Sequence, residues 1–356
     1  MRQVVVLQVL IVLFLVPAAV TVETGNRRLV QPLRYNQASC DAAAYAAADH
    51  TGEVVFLGSS QVGSTIIPGC VEAGLRTRGL PTRAYALWFP GAVAPTQYTA
   101  IRDLVLRHGK PRLVVMGLAP RDLNATADGA EVYVEHVASL SDAARLIARR
   151  PMQRAGLVWR AAERTPATIL QIPLMGLWRR GVEEVLQCRG SRWRDPAEGL
   201  AAQQANQAGT PAPGEAQYQS RLKTVRSLLA GYEFGDSPRW LEDTVRLARA
   251  GGVPVAWCVL SCSQRAQDDL AGAHVDEAAA ELWRGAGDLD VPLWVLRDLN
   301  PRLAEESAYF DGVDHASAPT AAETSRLLGA GPVADLLLAG PGGAATGHDG
   351  RRGRRP

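Results

Sequence analysis

The chain has 356 residues, and 47% of them are hydrophobic, a composition typical of a globular protein with a core and not of a disordered chain. Its formal net charge is +2, so no excess of basic residues favours a nucleic acid as partner. The five cysteines are too few and too dispersed for a disulfide scaffold, although an exported chain could still form one or two disulfides. Cys258 and Cys262 have no second Cys/His pair beside them, so a zinc site is not expected there.

Residues 1–25 predict a membrane anchor or a secretory signal. Residues 4–22 are almost entirely apolar, and charged residues flank them on both sides. This length is at the lower limit for a helix that spans a bilayer, and it also suits the apolar part of a signal peptide. We favour an uncleaved anchor because no clear cleavage site follows; a buried helix is the third alternative. Anchor and signal both place the remaining chain outside the cytoplasm, either membrane-anchored or secreted.

Short apolar runs that alternate with helical periodicity predict the fold class. The predicted strands are 53–57, 82–87, 112–117, 253–260 and 291–296. The predicted helices beside them are 68–78, 95–108, 240–250, 266–285 and 320–328. Such alternation is typical of a parallel sheet with helices on both faces. We therefore expect an α/β protein, a three-layer α/β/α sandwich around a five-stranded, flavodoxin-like parallel sheet.

Three segments organise the chain after its N-terminus. Residues 40–123 and 237–332 carry the strand and helix pattern and predict the α/β domain. Residues 124–236 are too long for an ordinary loop and predict a mostly helical insertion. Its helical pieces are 128–149, 167–186 and 216–232. Residues 338–356 are rich in Gly and Ala, end in arginines and predict a disordered basic tail.

Two polar clusters follow the first and last predicted strands. Ser60 follows the first strand, and His315 follows the last one with Asp311 and Asp314 as neighbours. A serine hydroxyl becomes a nucleophile when a base takes its proton, and imidazole is the base best suited to neutral pH. A carboxylate orients that imidazole. The sequence predicts Ser60 as nucleophile, His315 as base, and either Asp311 or Asp314 as the orienting acid.

Further candidates follow the second and third strands, whose carboxyl ends meet at the same edge of a parallel sheet. The backbone N–H of Gly91 can approach an oxyanion that develops in acyl transfer; the alternative is an ordinary turn glycine. Arg121 and Asp122 are candidates for contact with a substrate; the alternative is a structural ion pair that closes a loop.

Three stretches of the chain resemble the SGNH (GDSL-like) hydrolase superfamily. They are 54–68 (VVFLGSSQVGSTIIP), 89–122 and 309–325 (YFDGVDHASAPTAAETS). The resemblance is to the membrane-anchored bacterial branch that includes the alginate O-acetylation proteins and DltD-like proteins. It covers about a third of the chain.

The resemblance implies roles for several residues. Ser60 would be the nucleophile, His315 the base and Gly91 an oxyanion donor. The chain departs from the family pattern at Arg121, in the block where many members have an asparagine donor. It also departs at Gly312, where the acid that orients the histidine usually stands. A local bulge that brings Asp311 into place would compensate for the second departure.

The resemblance implies a serine esterase or an O-acyltransferase. Its substrate would be an acyl ester, chiefly an acetyl ester, of an envelope glycan or lipid, and no metal or organic cofactor would be required. Its partners would be that substrate, the membrane and envelope acylation proteins. The departures leave open the alternative of a catalytically inactive scaffold or carbohydrate-binding subunit of an envelope assembly.

Other motifs predict less. The glycine spacing in 58–65 is that of a phosphate-binding loop, but Ser64 replaces the lysine that would meet the phosphates. Asn124 begins a formal glycosylation sequon, a pattern that is common by chance. The remaining histidines lie on helical or tail segments and lack neighbours like those of His315. They are His50, His108, His136, His274 and His348.

Overall fold

The structure is a computed structural model and describes residue 45 and residues 48–89, 91–124, 214–230, 232–271 and 275–340. All of these belong to one compact unit. None of the helices in these ranges is both long and apolar enough to span a bilayer. The expected membrane segment (1–25), most of the expected insertion and residues 341–356 lie outside the described residues.

Five parallel strands form one sheet, as the sequence predicts. They are β1 Val54–Gly58, β2 Ala84–Trp88, β3 Leu113–Leu118, β4 Val255–Val259 and β5 Leu293–Val295. Their order is β2-β1-β3-β4-β5, which is flavodoxin-like. Every residue of β1 and β3 is buried, because these strands have neighbours on both sides and helices on both faces. The predicted α/β/α fold is confirmed.

Helices cover the sheet in two groups. The described helices are α1 Ser60–Thr65, α2 Pro68–Thr77, α3 Ala94–Ala100, α4 Glu215–Leu229, α5 Ser237–Ala250, α6 Gln264–Asp269, α7 Val275–Asp288, α8 Leu296–Leu299, α9 Ala318–Leu328 and α10 Ala334–Ala339. In one group α9 packs against both α1 and α2. In the other group α5 packs against α3 and also contacts α7. Alternate strand residues such as Phe56 and Val115 join the core cluster that includes Leu75 of α2 and Leu328 of α9.

The main differences from the predicted elements concern α1, the region of α6 and α7, and the C-terminal ends of α3 and α10. The sequence did not predict α1, and the predicted helix 266–285 is divided into α6 and α7. The Ser263 side chain accepts a hydrogen bond from the N–H of Ala266 and so begins α6. α3 continues as a π-helical turn, Ile101–Val105. α10 extends to Ala339, one residue beyond the predicted start of the basic tail at 338.

The strand order places the ends of β1 and β3 at a topological switch point. The two strands are neighbours in the sheet, although β2 lies between them in the sequence and pairs with the other edge of β1. The connections that leave β1 and β3 therefore diverge. In open parallel sheets the crevice that such divergence creates, at the carboxyl ends of the strands, is where ligands bind.

Two glycines allow α1 to lie close to this edge of the sheet. A Cβ atom at Gly58 would lie 2.4 Å from a methyl carbon of Val62 and 2.7 Å from the carbonyl oxygen of Gly117. A Cβ atom at Gly117 would lie 2.3 Å from the same methyl carbon. Because real Cβ atoms do not approach other atoms so closely, both glycines are required where they stand. They set the height of α1, and hence of Ser60, above the sheet.

We expect Gly58→Ala to destabilise the protein by about 1–3 kcal/mol, since the added methyl group overpacks a contact with backbone. Urea denaturation of the full-length protein measures the change. Gly287→Ala in α7 is the matched control, because its Cβ atom meets nothing within 4 Å. That control should be neutral or more stable by up to about 1 kcal/mol. Equal stability of Gly58→Ala and the wild type would contradict the close approach of α1.

Candidate active site

Ser60 is the first residue of α1 and directly follows β1. Ser59, at the N-cap position, is fully buried, whereas Ser60 is only partly buried. The Ser60 Oγ atom lies 3.1 Å from Nε2 of His315, a residue 255 positions later in the chain. The strand-to-helix turn thus presents the second serine of the pair, and not the first, to the imidazole.

A tight loop positions His315. Tyr309 and Ala316 form an isolated antiparallel bridge, and the N–H of Phe310 donates to the carbonyl oxygen of His315 at 3.0 Å. Inside this loop, Oδ1 of Asp311 accepts hydrogen bonds from three backbone N–H groups, those of residues 313, 314 and 315, at 2.9–3.2 Å. Gly312 has a φ of 74°, the left-handed region that favours glycine. The turn at Gly312 folds the Asp311 carboxylate back onto the imidazole.

Two carboxylates face Nδ1 of His315. Asp311 Oδ2 lies 2.6 Å from this nitrogen, and Asp314 Oδ1 lies 3.1 Å from it. A carboxylate accepts hydrogen bonds, so Nδ1 carries the proton and Nε2 of the neutral ring accepts from the Ser60 hydroxyl. Burial lowers the pKa of His315, but the hydrogen bonds to Asp311 and Asp314 outweigh it and raise that pKa above its ordinary value.

Asp314 has a different principal partner. Arg221 of α4 binds it with two parallel hydrogen bonds, Nε to Oδ1 at 2.7 Å and Nη2 to Oδ2 at 2.8 Å. Gln61 Nε2 donates to Oδ2 at 2.7 Å. Burial raises the pKa of Asp314, but His315 and Arg221 hold that pKa well below its ordinary value. Of the two acids that the sequence left open, Asp311 makes the shorter contact with the imidazole, whereas Asp314 binds a guanidinium.

Arg121 and Asp122 lie in the 3₁₀ turn Pro120–Leu123 after β3. Nη2 of Arg121 lies 3.4 Å from the Oγ atoms of both Ser60 and Ser59. Asp122 is fully buried and accepts a hydrogen bond from the N–H of Ala119 at 2.8 Å. Burial raises the pKa of Asp122 to about 7, against the lowering effect of Arg121. Arg121 therefore contacts the candidate nucleophile, and Asp122 closes the turn behind it.

Gly91 lines an open cleft that reaches Arg121. It is exposed and has a φ of 64°, so the loop after β2 turns sharply there. The cleft is lined by Gly91, Ala92, Val93, Arg121, Asp122, Asn124 and Leu228. Arg121 lines this cleft and also contacts Ser60, and all seven residues that the sequence singled out lie at this edge of the sheet.

The same loop contains a set of donors that suits a metal ion by atom type. Ligand atoms of Asp311, Asp314 and His315 lie within 4.8 Å of one another. However, Arg221 already binds both oxygens of Asp314, and Asp311 accepts from three backbone N–H groups and faces the imidazole. A cation placed among these oxygens would lie beside the positive charge of Arg221. The arrangement favours an acid–base site over a metal site.

Sequence reasoning missed Arg221 and gave no role to Gln61. Arg221 lies within the predicted helix 216–232, on a segment with several other charged residues, and its charge alone does not distinguish it from a solvated residue. The apolar residues Tyr218, Leu222 and Val225 on the same helix are buried. Their spacing identifies the packed face of the helix. The position of Arg221 at the border of that face is the one sequence signal that could have indicated its role.

His50 has an acidic partner comparable to those of His315, so the expectation that the remaining histidines lack such neighbours is wrong at this position. Its Nδ1 lies 2.7 Å from Glu53, both side chains are buried, and its ring stacks on Tyr45 with centroids 3.7 Å apart. This pair precedes β1, so it lies at the end of the strand opposite to Ser60. His136, His274 and His348 lie outside the described residues.

The competing motifs do not fit their alternative functions. Residues 60–65 are helical, and a Cβ atom at Gly63 would lie 2.6 Å from the indole of Trp88, so this glycine serves packing and does not form a phosphate loop. Asn124 is buried, and its amide donates to the carbonyl oxygen of Leu228 at 2.7 Å. The side chain of the formal sequon is therefore engaged inside the protein.

Cys258 and Cys262 are free thiols. Cys70 and Cys258 are buried, and Cys262 is half-buried. Burial raises the pKa of Cys262 to about 11, which disfavours the thiolate that a metal requires. Cys40 and Cys188 lie outside the described residues.

Comparison with known proteins leaves this geometry as the main guide. No protein-family model matches the chain, and no curated protein matches it in sequence. The function must therefore be argued from what the side chains at the edge of the sheet can do.

We expect Asp311→Asn to lower the pKa of His315, because it removes the carboxylate hydrogen bond that raises this pKa. The new amide N–H would also face Nδ1 and favour the tautomer with the proton on Nε2, which cannot accept from Ser60. NMR titration of the His315 ring in the full-length protein measures both effects. Asp276→Asn, an exposed position on α7, is the control. An unchanged or higher pKa in Asp311→Asn would contradict the assigned hydrogen bond.

Proposed function

We propose that this protein is a serine esterase or O-acyltransferase of the SGNH type. The observation that carries the proposal is the chain of contacts from Ser60 Oγ to His315 Nε2 at 3.1 Å and from His315 Nδ1 to Asp311 Oδ2 at 2.6 Å. A continuous chain of hydrogen bonds thus joins the nucleophile, the base and the orienting acid. Serine acyl transfer depends on this arrangement.

The chemistry follows from the protonation states. As Ser60 Oγ attacks the acyl carbon of an ester, its proton passes to Nε2 of His315, and the carbonyl oxygen becomes an oxyanion. The imidazolium then gives the proton to the departing alcohol, which leaves an acyl group on Ser60. Water, or the hydroxyl group of an acceptor, attacks this acyl-enzyme while His315 takes its proton. The bond between the acyl carbon and Oγ then breaks, and His315 returns the proton to the Ser60 oxygen. Hydrolysis and transfer differ only in which hydroxyl enters at the last step.

The oxyanion requires hydrogen-bond donors near Ser60. The first N–H groups of a helix have no partner within that helix, and Ser60 begins α1. Arg121 adds a guanidinium 3.4 Å from Ser60 Oγ, at the strand end where the resembling family has an asparagine donor. Gly91, across the cleft, presents exposed backbone from the loop after β2. We assign Arg121 as the side-chain donor to the oxyanion.

The substrate class rests on the resemblance. It favours an acetyl or other small acyl ester of an envelope glycan or lipid. The segment 1–25 would anchor the protein outside the cytoplasm, where such a substrate is found. The apolar side chains of Val93 and Leu228 in the cleft suit the acyl group more than a charged one.

The first test is covalent labelling of the full-length protein with a serine-reactive phosphonate and turnover of a chromogenic acetyl ester. Ser60→Ala should abolish labelling and lower kcat/KM by roughly 10³-fold or more. Ser64→Ala, on the same short helix, is the matched control and should label as the wild type does. An unlabelled wild-type protein without turnover of the ester would overturn the proposal and favour the inactive scaffold.

The second test concerns Arg121. Arg121→Met should lower kcat by about 10²-fold with a smaller change in KM, because the contact is made chiefly with the charge that develops in the transition state. Arg78→Met, which removes an exposed ion pair with Asp335, serves as the control. Wild-type kcat in Arg121→Met would exclude the oxyanion role and leave Arg121 as a structural partner of Asp122.

A further inference from the structure

Helix α4 brings a positive charge to the candidate active site from a distant part of the chain. Its apolar residues Tyr218, Leu222 and Val225 pack in a cluster with Val313 of the histidine loop. This packing carries Arg221, next to that apolar face, onto the carboxylate of Asp314. α4 is therefore fixed to the loop by an apolar contact as well as by an ion pair.

Arg221 contacts both carboxylates that face the imidazole. Besides its two bonds to Asp314, its Nε lies 3.3 Å from Oδ2 of Asp311, the oxygen that also accepts from Nδ1 of His315. Oδ2 of Asp314 additionally accepts from Gln61, the residue after the candidate nucleophile. The Arg221 guanidinium thus connects α4 to the loop that carries the candidate base. Through Asp314 and Gln61 it is also connected to α1, the helix that carries the candidate nucleophile.

The electrostatic need for this cation is clear from burial. The side chains of Asp311 and Asp314 are 7% and 2% exposed, and buried charges of one sign require a counter-charge. The charged groups around His315 are Asp311, Asp314, Arg221, Arg121 and, behind Arg121, Asp122. Arg121 lies 3.6 Å from Asp314, so Arg221 is the closer cation.

We propose that Arg221 is a positioning residue that acts through Asp314 and Asp311 to favour the neutral form of the His315 imidazole and to keep the ring directed at Ser60. Two uncompensated carboxylates beside Nδ1 would favour the imidazolium, and an imidazolium cannot accept the serine proton. Arg221 opposes this effect, since its positive charge lowers the pKa of His315. Its paired hydrogen bonds also prevent Asp314 from rotating. The role in turnover rests on the proposed function; the effect on the imidazole does not.

The experiment compares Arg221→Met with the wild type in the full-length protein. NMR titration of His315 requires no turnover, and its midpoint should move to higher pH when the positive charge is lost. In the ester assay the acid limb of kcat/KM should move in the same direction. At neutral pH the expected loss is on the order of tenfold, below the roughly 10²–10⁴-fold that a general base contributes. Activity should recover partly at higher pH.

Two further variants separate electrostatics from structure. Arg221→Lys keeps the charge and should leave the His315 midpoint near the wild-type value. Arg226→Met, an exposed position on α4, should change neither titration nor activity. A midpoint that is unmoved or lower in Arg221→Met, or a loss of activity that is equal at every pH, would overturn the proposal. If Arg221→Met does not fold, Arg221→Gln, which keeps a donor for Asp314, serves for the same measurement.

A titration that responds to Arg221 in a protein without esterase activity would support the positioning role and reject the proposed function. An active wild type whose His315 titration midpoint does not change in Arg221→Met would support the proposed function and reject the positioning role. The two proposals therefore fail by different measurements.

Discussion

The hydrogen bond between Nδ1 of His315 and Asp311 is the interaction on which the rest of the site depends. It sets the tautomer, and the tautomer decides whether Nε2 can accept from Ser60. Asp311 can make this bond because its other oxygen is held by three backbone N–H groups, which leave Oδ2 one direction to point. The backbone of the loop, through Asp311, thus helps to orient the candidate base.

The candidate nucleophile is positioned by a different kind of contact. Ser60 stands on a helix that lies against glycines of two strands, so its position follows from close packing of backbone. The candidate base stands on a loop whose shape follows from hydrogen bonds and from one left-handed glycine. Asp314 joins the two parts, because it binds Gln61 of the helix, Arg221 of α4 and the imidazole. A buried carboxylate with three polar partners is well suited to such a junction.

Much of the architecture could be predicted because its signals are local. Buried parallel strands are short continuous apolar runs, so the sequence predicts all five strands. Ser60 and His315 were candidates because they follow the carboxyl ends of such strands. The helix α1 escaped prediction because six residues with an internal glycine carry too little periodicity, and its stability comes from the contact of Val62 with the sheet. The choice between Asp311 and Asp314 also required three dimensions, since spacing alone cannot show which carboxylate the turn at Gly312 directs at the ring.

Arg221 could not be assigned from sequence for a related reason. A charged residue on an amphipathic helix is usually solvated, and only the packing of α4 on the histidine loop makes this one a partner of buried acids. The interior pairing of His50 with Glu53 was missed in the same way, because four residues of sequence do not reveal burial.

The order in which the parts of the site occur along the chain has a consequence for biosynthesis. Ser60 and its helix emerge from the ribosome before the imidazole of His315, the candidate base, which follows 255 residues later, and the guanidinium of Arg221 emerges between them. Domains assemble from the N-terminus as they are made. A nascent chain can therefore form the first strands before the candidate base has been made. The Ser60 hydroxyl stays an ordinary alcohol at least until the loop that carries His315 has been synthesised.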